Sequence, residues 1–291
     1  MEALRRRIEA RVMSLSGLAL GQIDYEHPEG DPGLFGPDSM PWEVHSDFTS
    51  MLVGGIASLL LQMLHPLALA GVWDHSNFRQ DMLGRLRRTG QFVAGTSFAP
   101  TASADWLIDK VRTIHLKVTG TAADGRRYAA SDPALLTWVH VAEVSCFLAG
   151  YLRYLNPQLS GAEQDRYYAE IALVAERLGA TDVPKSRQAV ADYLDAMRPQ
   201  LVCDERTREI CRILLNAPAP SRSAVPISRL FMQAGIDLLP AWTQQQLGLQ
   251  QAAWQRPLIR AGVHSLAPLL RWAVRNGASH RSRKRMGLPP R

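Results

Sequence analysis

The stretch 48–64 is the most apolar run of the chain, and it constrains the fold more than any other feature. It is nearly long enough to cross a membrane, but Gln62 and the His65-Pro66 pair interrupt its end. A helix that is apolar on every side is buried either in a large protein core or in a bilayer. We therefore predict a buried central helix, with a membrane-associated protein as the alternative.

The rest of the chain shows helical periodicity, turn signals and no convincing strand alternation. A dense set of Pro, Gly and Asp residues over 22–41 predicts an irregular crossing segment, and Gly95–Ser103 predicts a loop. Asp124-Gly125 predicts a short hairpin or loop within 119–128. We therefore predict a mostly α fold. Residues 41–276 form the predicted helical domain, preceded by an N-terminal segment, 1–40, and followed by a basic tail, 277–291. Helices are predicted at 3–20, 67–73, 78–93, 104–118, 133–155, 161–178, 186–197, 204–215, 223–238, 243–260 and 263–276.

The composition of the chain argues against several classes of protein. Hydrophobic residues make up 46% of the 291 positions and charged residues 21%, which excludes wholesale disorder. The net charge is +6, and the Lys and Arg residues are spread along the chain and partly concentrated at its two ends. We interpret this distribution as a solvated basic surface with a frayed basic tail, and we expect no nucleic-acid partner. Three cysteines lack metal-ligand spacing, and the N-terminus lacks a signal-peptide pattern. We expect reduced thiols and a cytoplasmic location.

Several common site patterns are missing from the sequence. No His-Glu-x-x-His motif occurs, and His140 and Glu143 give a single His-x-x-Glu pair, which argues against a di-iron carboxylate bundle. No glycine-rich phosphate loop follows a strand, and no nucleophile elbow is present. Hydrolytic and nucleotide-binding classes therefore have no support in the sequence.

One combination of residues indicates a haem site. His115 lies on a largely apolar predicted helix, and Arg85, Arg88 and Thr89 share one face of another. An axial nitrogen, an apolar slot and cations for the propionates are what a bound haem requires. Arg112 lies one turn before His115, and a guanidinium suits a carboxylate, so we choose it as a propionate partner. A buried histidine more often has a structural role than a ligand role. The residues alone therefore leave both a structural role and iron ligation open for His115.

An ordered series of short motifs over about residues 40–240 resembles the rubber oxygenase (latex-clearing protein) and mycophenolic-acid-pathway oxygenase family. The resemblance implies a mostly α-helical, globin-like fold, haem b, and oxidative cleavage of carbon-carbon double bonds by dioxygen. The motifs are Gln62-Met63-Leu64-His65-Pro66, Asp74-His75-Ser76-Asn77-Phe78, Arg85-Leu86-Arg87-Arg88-Thr89, the segment 111–120, the segment 125–133 and Trp138-Val139-His140.

Carried over residue by residue, the resemblance gives His115 as the proximal haem ligand and Arg85 and Thr89 as the Arg-x-x-x-Thr pair of the haem pocket. The chain departs from the rubber enzymes at two places. Their catalytic glutamate has no counterpart, because 67–73 contains no carboxylate, and their distal lysine is replaced by Arg88, which cannot ligate iron while protonated. These departures put polyisoprene cleavage in doubt and leave haem binding intact.

We therefore expect a haem b oxygenase that acts with dioxygen on a hydrophobic small molecule, with His115 as the iron ligand and Arg85 and Thr89 as catalytic residues. Asp74, His75 or His65 could supply polar groups on the distal side, and Tyr128 and His140 could serve the pocket or only the fold. A haem carrier or sensor, or a haem-free helical binding protein, remains the alternative.

Overall fold

The structure is a computed structural model that describes residues 1–219 and 221–289. In these residues it contains fourteen α-helices, three short 3-10 turns and one two-stranded sheet, so the predicted mostly α fold is confirmed. The helices are α1 (Glu2–Leu15), α2 (Met40–His45), α3 (Phe48–Gln62), α4 (Pro66–His75), α5 (Met82–Phe98), α6 (Thr101–His115), α7 (Pro133–Tyr154), α8 (Gly161–Leu178), α9 (Arg187–Met197), α10 (Glu205–Leu215), α11 (Val225–Leu238), α12 (Ala241–Leu247), α13 (Gln255–Ala273) and α14 (Ala278–Arg285).

The core is built around the pair α3 and α7, and two glycines allow these helices to approach closely. A Cβ on Gly54 would lie 2.8 Å from the carbonyl oxygen of Cys146, and one on Gly150 would lie 2.6 Å from that of Ser50. Trp138 of α7 is fully buried, and its indole Nε1 donates to the carbonyl of Gln62 at 3.3 Å. The predicted buried helix over 48–64 is thus α3, and α7 packs antiparallel along it from Ser50 to Gln62.

Local capping signals set several boundaries as predicted. The side chain of Asp132 accepts hydrogen bonds from the backbone of Ala134 and Leu135 at the start of α7. Ser160 and Glu163 form the reciprocal capping box that opens α8. The hairpin is also present, since β1 (Thr119–Thr121) pairs antiparallel with β2 (Arg127–Ala129).

Other boundaries differ from the predictions. The predicted loop at Gly95–Ser103 is wrong, because only Ala99 and Pro100 separate α5 from α6. Gly95 belongs to α5, where its lack of a side chain makes room for Leu107 of α6. The predicted start of a helix at Phe78 is also wrong, since α4 continues to His75 and α5 begins at Met82.

The C-terminal helices are divided differently from the prediction. The predicted helix over 243–260 is wrong, because Gly248 adopts a left-handed conformation (φ 67°) and ends α12. Pro257 lies in the first turn of α13, where no intrahelical N–H bond is needed, and Pro268 is accommodated inside the same helix. The expected frayed tail is wrong for 278–285, which form α14. Residues 290 and 291 of the predicted tail lie outside the described residues.

Arg285 anchors α14 to the body of the protein. Its side chain is buried and donates to the backbone carbonyls of Tyr25, Asp31 and Phe98 at 2.7–2.9 Å. Three carbonyl acceptors from two distant segments satisfy the guanidinium without a carboxylate. The basic segment is therefore part of the fold.

By length and composition, α7 could cross a membrane, and the α3–α4 pair would count as a second span only if it were taken as one helix despite its 103° bend. Most of the apolar stretch of α7 is buried inside the protein, and the core helix of a soluble protein passes the same test. The length and composition of α7 therefore do not by themselves favour membrane association.

Candidate active site

The residues predicted for the site come from two helices that meet at a short connection. Arg85 and Thr89 lie one turn apart on α5, and His115 is the last residue of α6. At 1.5 Å per residue, Arg85 and His115 each lie roughly 20 Å from the Ala99-Pro100 connection. The two helices pack on each other. The fold therefore presents the Arg-x-x-x-Thr face and the histidine from neighbouring helices.

His115 has an unused ring nitrogen. The side chain is partly buried, its Nδ1 is fully buried, and within the described residues this atom has no hydrogen-bond partner. Burial lowers the pKa of His115 below its ordinary value, so the imidazole is neutral at pH 7. A neutral imidazole with a free nitrogen is the form that ligates iron.

Two other buried histidines already bond protein groups. His45 Nδ1 lies 2.7 Å from Ser97 Oγ, whose own proton is donated to the carbonyl of Val93, so the imidazole donates there. His45 Nε2 then accepts from the hydroxyl of Tyr167 at 2.8 Å. His65 Nδ1 accepts from the first backbone amides of α4, which makes it a helix cap. Both are structural, whereas the Nδ1 of His115, like that of His280, has no hydrogen-bond partner among the described residues.

Arg85 is a partly buried cation with no carboxylate beside it in the described residues. Its Nη1 donates to Ser76 Oγ at 2.8 Å, and no carboxylate in residues 1–219 and 221–289 lies within 4 Å of its nitrogens. Burial, with a smaller effect of the Arg88 charge, lowers its pKa to about 10, which still leaves it protonated at pH 7. A partly buried guanidinium of this kind stabilises an anionic or oxygen-rich partner.

An apolar crevice adjoins Arg85. Its accessible volume is about 10 Å³, room for about one water molecule. Its other walls are aliphatic or sulfur-containing side chains of α5, α10 and the C-terminal end of α3, namely Leu59, Met63, Met82, Ile210, Cys211 and Leu214. Arg85 therefore lies against an apolar wall that leaves no room for a substrate in this structure.

Arg112 and the polar residues of α4 lie elsewhere. The guanidinium of Arg112 is exposed, with Nη1 3.6 Å from Asp109 Oδ1, and its role as a propionate partner stays a prediction. Asp74 accepts from the hydroxyl of Tyr128 at 2.7 Å, and His75 Nε2 lies 3.1 Å from the carbonyl of Thr119. These contacts hold the hairpin against α4. We assign Asp74, His75 and Tyr128 a structural role.

Glu143 is a polar residue whose role the sequence did not reveal. It is partly buried on α7, accepts no hydrogen bond from the described residues, and burial raises its pKa to about 7. Tyr167, the partner of His45, lies within its electrostatic reach. His140, one turn earlier, is buried with its pKa lowered by burial to about 4. The only sequence signal for this pair was the His-x-x-Glu spacing.

A carboxyl group with a raised pKa makes stability depend on pH. The unfolded chain ionises this group above about pH 4.5, whereas the folded protein keeps its proton up to about pH 7. The free energy of unfolding therefore falls as pH rises between these values. We expect Glu143→Gln to be more stable than the parent at pH 8 and equal to it near pH 4.5, measured by urea unfolding. The surface change Glu29→Gln is the control, and a Glu143→Gln effect that is the same at both pH values would contradict the assignment.

Family comparison decides the class of the protein. The family model described as "ER-bound oxygenase mpaB/B'/Rubber oxygenase, catalytic domain" matches residues 42–272. The chain belongs to this oxygenase family. The match covers α3 to α12 completely and most of α13, and it includes Arg85, Thr89 and His115. No curated protein and no solved structure matches the chain significantly. The resemblance seen in the motifs is thus confirmed, and the protein carries an oxygenase catalytic domain.

Within the described residues, no group of three or more His, Cys, Asp or Glu side chains is arranged to hold a metal ion. A haem needs only an axial ligand from the protein, since the porphyrin supplies the other iron-binding nitrogens. Among the described residues, His115 has a buried nitrogen with no partner and Arg85 is a partly buried cation with no carboxylate beside it, and these two side chains would hold such a group.

Proposed function

We propose that this member of the oxygenase family is a haem b-dependent enzyme that oxidises a hydrophobic small molecule with dioxygen, with His115 as the axial iron ligand. The observation that carries the proposal is the buried, unpaired Nδ1 of His115 in a chain of this family. A cytoplasmic location and the lack of a nucleic-acid partner belong to the same proposal.

Bound haem would supply the iron that activates dioxygen. His115 would hold the haem from one side, and its neutral ring keeps the nitrogen lone pair available. Arg85 would bind a propionate or an oxygen of the substrate, since it is charged, partly buried and without a carboxylate beside it in the described residues. Thr89, one turn along the same face, would add a hydroxyl donor. The apolar side chains packed beside Arg85 would keep water away from its partner.

Glu143 is a candidate proton carrier. A carboxyl group with a pKa of about 7 is half-protonated at neutral pH, the condition in which it gives and takes protons most effectively. The glutamate of the rubber enzymes is missing from 67–73, and Glu143 is contributed by another helix, α7. If Glu143 transfers protons, the proton carrier lies on α7 and not in the segment 67–73, where the rubber enzymes have their glutamate.

The test is an oxygen-consumption assay on the full chain expressed with a haem precursor. We expect a Soret band, about one haem per chain, and oxygen uptake that depends on an apolar unsaturated substrate from a panel of isoprenoids and fatty acids. Arg85→Met should keep the haem and lower kcat/KM by about 10²-fold, the usual cost of removing a preorganised electrostatic group. Arg87→Met is the matched control, because Arg87 lies on the same helix and bonds the carbonyl of Ser14.

Two results would overturn the proposal. A folded chain without a Soret band would support the haem-free binding protein. A chain with full haem and no substrate-dependent oxygen uptake across the panel would support the haem carrier or sensor.

A further inference from the structure

Three arginines surround the single carboxylate of Asp237, which is fully buried on α11. Nη1 of Arg153 on α7 and Nε of Arg260 on α13 lie 2.9 and 2.7 Å from Oδ2 of this carboxylate. Nε of Arg256, also on α13, lies 3.9 Å from Oδ1. Among the described residues, no other carboxylate lies within 4 Å of these guanidiniums. The cluster therefore carries two positive charges that Asp237 does not balance.

The guanidiniums are close enough together to share a second anion. Nη1 of Arg153 and Nε of Arg260 contact the same oxygen of Asp237, so these two nitrogens are less than about 6 Å apart. Arg256 lies one turn before Arg260 on the same face of α13. A single oxyanion that accepts hydrogen bonds of about 2.9 Å on two sides spans such a separation.

The outer sides of the three arginines are accessible and keep free donors. Their side chains are 30–41% exposed. Asp237 occupies Nη1 of Arg153 and both Nε and Nη2 of Arg260, and Gln244 Oε1 accepts from Nη2 of Arg256. In the described part of the chain, Nη2 of Arg153 and Nη1 of Arg256 and Arg260 have no partner, and these three nitrogens reach solvent. An anion can therefore contact them without breaking the bonds to Asp237.

This arginine cluster lies far from the proposed haem site. Trp138 on α7 donates to the carbonyl of Gln62, which is next to Met63 of the Arg85 crevice. Arg153 is fifteen positions further along α7, or roughly 22 Å at 1.5 Å per residue. The surplus positive charge is therefore separate from the groups that would hold a haem.

We propose that the outer nitrogens of Arg153, Arg256 and Arg260 bind a phosphate group. A phosphate group carries a charge of about −1.5 to −2 at pH 7, which matches the two charges that Asp237 leaves unbalanced. Its oxygens accept several hydrogen bonds, and the planar fork of a guanidinium suits two of them at once. A carboxylate brings only one charge and leaves the cluster positive. A soluble phosphate compound and a phospholipid headgroup both offer this chemistry.

Inorganic phosphate at pH 8, where it is a dianion, is the soluble probe. Acetate at the same pH and ionic strength is the monovalent control. Calorimetric titration of the full chain should show that phosphate binds at least about 10-fold more tightly than acetate, because it forms charge-assisted hydrogen bonds to more than one guanidinium.

Arg256→Met is the informative variant, because the other two arginines continue to bond Asp237. It should weaken phosphate binding about 10-fold, the usual effect of losing a hydrogen bond between charged groups. Arg126→Met is the matched control, since it removes an exposed arginine that pairs with Asp124 in the hairpin. This control should bind phosphate as tightly as the parent protein does.

Phosphatidylcholine vesicles that contain phosphatidic acid distinguish the two sources of the phosphate group. Sedimentation of the parent protein with these vesicles, lost in Arg256→Met and kept in Arg126→Met, would support a phospholipid headgroup. Tight binding of inorganic phosphate without sedimentation would support a soluble phosphate compound.

Two results would overturn the proposal. One is a parent protein that binds phosphate no more tightly than acetate and does not sediment with the vesicles. The other is binding of phosphate or vesicles that is equally strong in Arg256→Met and Arg126→Met, because the anion would then lie elsewhere. The first result needs only the parent protein, so the proposal can be rejected even if Arg256→Met does not fold.

Discussion

Replacing His115 by Ala is expected to reduce bound haem from about one per chain to less than about a tenth of that value. The buried Nδ1 of His115 is unpaired among the described residues. The buried His45 and His65, by contrast, already bond protein groups. A haem without its axial protein ligand keeps only apolar contacts and its propionate partners. The Soret absorbance and a pyridine haemochrome assay measure the loss directly.

Three controls separate ligand loss from unfolding. His27→Ala removes an exposed histidine whose ring bonds the Asp24 carboxylate, and it should leave the haem content unchanged. Far-UV circular dichroism should show unchanged helix content in His115→Ala, because His115 is the last residue of α6. Free imidazole should restore haem binding to His115→Ala, since it can enter the space that the side chain leaves. A His115→Ala protein with full haem and an unchanged spectrum would exclude His115 as the ligand.

Signals that act over a few residues were sufficient to predict the helix starts at Asp132 and Ser160 and the hairpin at Asp124-Gly125. In each case the bonds that fix the element join residues at most ten positions apart in the sequence. Predictions failed where packing between residues that are distant in the sequence determines the secondary structure. Gly95 appeared to be a loop residue because it is surrounded by small residues, but contact with Leu107 places it in α5.

The candidate site could be predicted only in part for the same reason. The sequence indicated Arg85, Thr89 and His115 because they match a motif series, and the family comparison supports that series. Glu143 and the His45–Tyr167 pair depend on the packing of α2, α7 and α8, and His45 and Tyr167 are 122 positions apart.

The largest expected loss of stability comes from a buried carboxylate that joins three helices. The side chain of Asp237 on α11 is fully buried and bonds Arg153 of α7 at 2.9 Å and Arg260 of α13 at 2.7 and 3.0 Å. Removing one partner of a buried ion pair costs about 3–5 kcal/mol because the opposite charge is left without compensation. The two arginines are 30% and 41% exposed, so water compensates part of that cost. We expect Asp237→Asn to lose about 3 kcal/mol, at the lower end of this range.

Urea unfolding of Asp237→Asn measures this loss. In thermal unfolding, the midpoint temperature of the variant should lie roughly 5–10 °C below that of the parent. The matched control is Asp124→Asn, which removes the same carboxylate from an exposed pair with Arg126 in the hairpin. Exposed pairs contribute little, so the control should stay within about 0.5 kcal/mol of the parent. Equal stability of the two variants would mean that the buried network contributes no more than a surface pair. The packing of α11 against α3 and α13 would then hold these helices together without Asp237.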